Sequence, residues 1–120
     1  MLLTAFYFLT AAVLLGSFVA LSHIGLMRWR WWPGVIHGAL GIAGLTLLFF
    51  SLGGPPRGAE HGVQSFTTIA AWIAVAGLAV ALVYAALQVF AKKRVAWLVG
   101  AHVTVAITAY LFLMAFVSLG

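Results

Sequence analysis

Four apolar runs, at about 2–23, 34–52, 66–91 and 95–119, constrain this chain more than any motif does. Crossing a hydrocarbon core takes about 20 helical residues, and each run is close to or above that length. Together they consume most of the 120 residues and leave no stretch for a separate soluble domain. With 66% of the residues hydrophobic and 6% charged, the chain cannot clothe an apolar core in a polar shell. A segment in lipid must also satisfy its own backbone hydrogen bonds, which selects helices. The expected fold is therefore all-α: an integral membrane four-helix bundle forming one domain over 1–120. The first run lacks a basic leader and is too long for a typical signal-peptide core, so it is expected to be a retained helix.

The charges orient the bundle. Arg28 and Arg30, set among Trp29, Trp31 and Trp32, lie between the first two runs, and Lys92, Lys93 and Arg94 lie between the last two. The central loop holds Arg57, with Glu60, the sole acid, placed to offset it. The positive-inside rule puts both basic loops in the cytoplasm. Both termini and the central loop then face outward, into the periplasm if this is a bacterial inner membrane. The tryptophans fit an interfacial belt. Pro33 suits the first turn of the second helix. Gly53-Gly54-Pro55-Pro56-Arg57-Gly58 must form the outer loop, and Ser65 is the expected N-cap of the third helix.

A shift of 65 residues overlays the two halves. Trp32 precedes His37 by five positions, as Trp97 precedes His102, and both halves end in Ser-Leu-Gly. The expectation is two duplicated helical hairpins related by a pseudo-two-fold along the membrane normal. Chance likeness between apolar helices is the alternative. Either way, His37 and His102 each lie about one turn inside a helix entering from the basic side, at similar depth.

An imidazole in hydrocarbon needs partners for its nitrogens and is a functional candidate by default. Two at equal depth on different helices suit axial ligation of one haem b iron. Gly34, Gly41 and Gly44 on the face of His37, and Ala106 beside His102, would leave room for the porphyrin. Arg28, Arg30, Lys92 and Arg94 stand where propionates would end. The competing reading has both histidines simply hydrogen-bonding carbonyls or interfacial water within small-residue packing faces. Binding of another metal or of a magnesium pigment is a third. His23 is an alternative ligand, paired with His102 or His37, although an interfacial side chain reaching water is the simpler expectation. His61, beside Glu60 in the outer loop, is a weak metal candidate. Thr46, Thr67, Thr68, Thr104, Thr108 and Ser17 are expected to bond back to their own helix carbonyls.

Other chemistries are excluded by what the sequence lacks. Without cysteine there is no disulfide, thiolate zinc site, iron–sulfur cluster or covalent haem. No span carries a charged residue in its middle, which argues against an ion-coupled transporter, and one loop carboxylate cannot assemble a hydrolytic site. The net charge of +5 comes from helix ends, so no nucleic acid partner is expected.

The His-Gly-x-x-Gly-x-x-Gly run at 37–44, Gly-Pro-Pro-Arg-Gly at 54–58 and Gly-x-His at 100–102 are similar to segments of short bacterial membrane proteins. In general plan the chain resembles small four-helix membrane b-type cytochromes. That resemblance implies a haem b-binding subunit passing electrons near the cytoplasmic leaflet, with quinone or a partner redox subunit as exchange partner. It would act as a homodimer or inside a larger membrane complex rather than as a stand-alone enzyme. The chain departs from familiar cytochromes b in having no helix with two ligands, so it has room for one bis-histidine haem. A cofactor-free accessory subunit and a pigment-binding subunit are the alternatives.

The orientation is testable because the chain has no native cysteine. In cells with a permeabilised outer membrane, an impermeant maleimide should label Ala59→Cys, and should label Lys93→Cys only after lysis. The reverse pattern would invert the topology.

Overall fold

The computed structural model describes residues 1–28 and 30–120; Trp29, part of the expected interfacial belt, lies outside the described residues. Four α-helices run in antiparallel succession: α1 (Leu2–His23), α2 (Trp32–Ser51), α3 (Phe66–Phe90) and α4 (Ala96–Leu119). At 1.5 Å per residue each is roughly 30 Å long or more, and all four are apolar enough to cross a membrane. Large apolar side chains such as Leu3, Tyr7, Leu14, Phe50, Trp72, Leu82 and Leu111 point outward around the molecule. Such a surface is stable in hydrocarbon and not in water.

The ends follow local chemistry. Gly25 at φ 82° closes α1 in a Schellman motif, its amide donating to Ser22 O and that of Leu26 to Leu21 O. At the end of α3, Lys92 takes up the left-handed conformation, and the Lys93 amide donates to Leu87 O. Pro33 sits in the first turn of α2, which starts at Trp32, two residues before the expected boundary, because a proline there forfeits no helical bond. Helix α4 starts one residue later than expected, after an extended Val95. Ser65 makes no side-chain cap; the Phe66 amide is taken instead by the Val63 carbonyl.

The helices pair first as hairpins, α1 with α2 and α3 with α4, and the hairpins meet more sparingly through α1–α4 and α2–α3. Helices α2 and α4 therefore stand on a diagonal of the bundle. The core of Ala5, Leu45, Leu48, Ala70, Ala71 and Leu113 lies wholly in the half nearest the central loop. There the hairpins are tied by the Thr10–Tyr110 hydroxyl bond at 2.8 Å and by Phe6 stacked on Tyr110. Towards the basic loops, Gly34, Gly38 and Gly41 of α2 have nothing within 4 Å of where a Cβ would stand. One end of the bundle is packed, and the other has free space beside α2.

Gly44 departs from the sequence expectation. An added Cβ would lie 2.7 Å from the Leu9 side chain and 3.2 Å from its backbone nitrogen. Its missing side chain thus serves the close approach of α1 to α2, not room for a ligand. Gly44→Val should destabilise the fold by about 1–3 kcal/mol through overpacking, measured by denaturation in mixed micelles. Gly38→Ala, facing open space, should leave the midpoint nearly unchanged.

Candidate functional site

The two histidines predicted from spacing come together across the bundle diagonal. Their ring centroids are 5.9 Å apart and their planes are inclined by 80°. Each is held by the other helix of its own hairpin: His37 Nδ1 donates to Ala12 O at 2.8 Å, and His102 Nδ1 to Gly77 O at 2.9 Å. Both bonds span 25 residues, and their members differ by the same 65-residue shift. A carbonyl can only accept, so each Nδ1 carries the proton. The neutral ring then keeps its lone pair on Nε2. Neither Nε2 has a hydrogen-bond partner among the described residues.

The anchoring carbonyls set the depth. Ala12 lies near the middle of α1 and Gly77 near the middle of α3. His37 and His102 stand in the second turns of α2 and α4, and the His37 ring meets α1 between Ala12 and Gly16.

Sequence reasoning missed the residues that receive the rings. A Cβ on Gly16 would fall 2.6 Å from Cε1 and 2.9 Å from Nδ1 of His37, so the ring lies directly over that glycine. At Gly77 a Cβ would be 4.0 Å from His102 Nδ1 and 3.9 Å from the Ala106 amide nitrogen, ordinary contact distances. Ala106 therefore also serves the α3–α4 approach. The available signal was the 65-residue repeat, which pairs Ala12 with Gly77 and Gly16 with Ala81. Nothing in the repeat says which carbonyl turns to a histidine.

The remaining candidates are dispersed. Gly34 and Gly41 border the open space beside α2. Arg28 and Arg30, with Trp31 and Trp32, line a shallow surface depression of about 300 Å³ at the basic end. Arg94 is exposed and lies just before α4, eight residues ahead of His102. His23 corrects one expectation. Its Nδ1 donates to Val19 O, its ring packs edge-on against Tyr84, and its Nε2 is buried without a partner among the described residues instead of reaching water. It stands seven residues beyond Gly16, roughly 10 Å along α1 towards the basic loops. His61 Nδ1 lies 3.7 Å from Glu60 Oε1, both side chains exposed, and no third ligand joins them among the described residues. Arg57 does not offset Glu60; its Nε donates to Gly120 O at 3.3 Å.

Comparison with known families, curated proteins and solved structures gives no match. The site's own geometry carries the functional argument.

The tautomer is directly measurable. Nitrogen-15 spectra of histidine-labelled protein should show both His37 and His102 protonated at Nδ1 and bare at Nε2. Protonation at Nε2 in either residue would contradict the carbonyl bonds.

Proposed function

We propose that His37 and His102 are the axial ligands of a single haem b, and that the chain is an electron-transfer subunit of a membrane complex. The observation that carries this reading is the pair of neighbouring imidazoles, each with Nδ1 held by a backbone carbonyl and Nε2 without a partner among the described residues. Two imidazoles bound through Nε2 to one metal, at bonds of about 2 Å, hold their ring centroids roughly 6 Å apart. The spacing here is 5.9 Å. Hydrogen bonding at the second nitrogen is also what orients a ligating histidine and raises its basicity.

Haem, when bound, supplies one-electron redox chemistry that no side chain of this chain provides. The chain's own work is to position and insulate. The Ala12 and Gly77 carbonyls hold the rings, and Gly16 lets the His37 ring settle against α1. Gly34 and Gly41 leave space beside α2, and Arg28, Arg30 and Arg94 offer positive charge to propionates at the basic end. Quinone or a partner redox subunit is the proposed exchange partner, and a homodimer or larger complex the setting. The matched histidine bonds also favour the two hairpins being a duplicated unit, related by a pseudo-two-fold along the membrane normal. The charge distribution supports outward termini, which in a bacterial inner membrane would face the periplasm.

A cofactor-free accessory subunit is the second reading, and the same hydrogen bonds favour it, since each pins a hairpin. It assigns no role to the two Nε2 atoms, neither of which has a hydrogen-bond partner among the described residues. The haem reading gives both a role.

Protein purified in detergent after expression with ample haem should show sharp b-type bands in its reduced-minus-oxidised spectrum. His37→Ala and His102→Ala should each lose them, while His23→Ala keeps them. A colourless native protein would leave the accessory role.

A further inference from the structure

At the opposite end of the bundle, beneath the central loop, lies a half-open cavity of about 340 Å³, within the usual size of a small-ligand site. Phe50, Leu52 and Phe116 form its apolar wall, and Arg57, Gln64 and Thr67 bring polar groups to it. We propose that this cavity binds the phosphate head of a phospholipid, with an acyl chain descending along the apolar wall.

Three observations converge on an oxyanion. Thr67 is only 6% exposed, yet its hydroxyl has no hydrogen-bond partner among the described residues. Thr10, Ser17, Thr46, Thr104 and Thr108 all donate to their own helix carbonyls, and Thr67 does not. It stands in the first turn of α3, where no helical carbonyl lies behind it. Gln64 likewise makes no side-chain hydrogen bond. Arg57 uses one of its five N–H groups, on Gly120 O, and that bond ties the loop over the end of α4. The sole acid of the chain, Glu60, is turned to His61. The cavity therefore gathers the Thr67 hydroxyl, the Gln64 amide and the remaining N–H groups of Arg57 at the end of the spans where lipid phosphates lie.

The loop is built to keep this arrangement. Gly58 and Gly62 adopt positive φ on either side of the short 3-10 turn Ala59–His61. Val63 is 3% exposed, and its Cγ2 would be 2.6 Å from a Cβ on Gly58. The fold thus seats Gln64 and Thr67 beneath Arg57 by a packed turn.

The test is thermal stability of the detergent-solubilised protein titrated with phosphatidylglycerol, with phosphatidylcholine, with the neutral diacylglycerol and with inorganic phosphate. The proposal expects a saturable upward shift with both phospholipids and none with diacylglycerol. Thr67→Val, which keeps the side-chain shape, should weaken the effect about tenfold, as should Arg57→Gln, while far-UV dichroism stays unchanged. An equal shift with diacylglycerol would overturn phosphate recognition even if a variant failed to fold. A shift with inorganic phosphate alone would keep the oxyanion and overturn the lipid as its carrier. Unaltered phospholipid binding in folded Thr67→Val and Arg57→Gln would overturn the site itself.

Discussion

Two hydrogen bonds from imidazole to backbone carbonyl organise the middle of this bundle. In each hairpin the second helix supplies the histidine and the first supplies the carbonyl, from near its own centre. In apolar surroundings such a bond is costly to break, because water is not there to replace it. It fixes the axial register of the hairpin, the rotation of the ring and the identity of the nitrogen left free. The meeting of the two rings on the bundle diagonal follows from these local constraints.

The rest of the fold divides around that layer. On the side of the central loop, small residues such as Ala5, Ala70 and Ala71 let the hairpins interlock around Leu48 and Leu113. On the side of the basic loops, the glycines of α2 face free space. The cationic loops terminate the looser half, so an anionic edge would find its counter-charge there.

Most of the architecture was legible from the sequence, because span length and charge placement are one-dimensional signals. The four helices fall within about two residues of the apolar runs, and the histidine pair was found from matched spacing to Trp32 and Trp97. What stayed hidden concerns rotation about the helix axis. These helices are apolar all round, so no stripe marks the inward face. Gly44 was assigned to the ligand side and instead faces Leu9, and His23 was assigned to water and instead lies on Tyr84. Gly16, which receives the His37 ring, carries no chemistry of its own and becomes visible only in three dimensions. Thr67 was grouped with hydroxyls that bond backward, although a first-turn position has no carbonyl to reach.

The proposed role of the chain rests on whether the two free Nε2 atoms act together on one metal. The most direct measurement is a titration of haem-free protein with haemin, following the Soret band and the spin state of the ferric product. The account predicts saturation at one haemin per chain with a low-spin, six-coordinate spectrum. Absence of saturable binding, or a high-spin product with one histidine ligand, would contradict it.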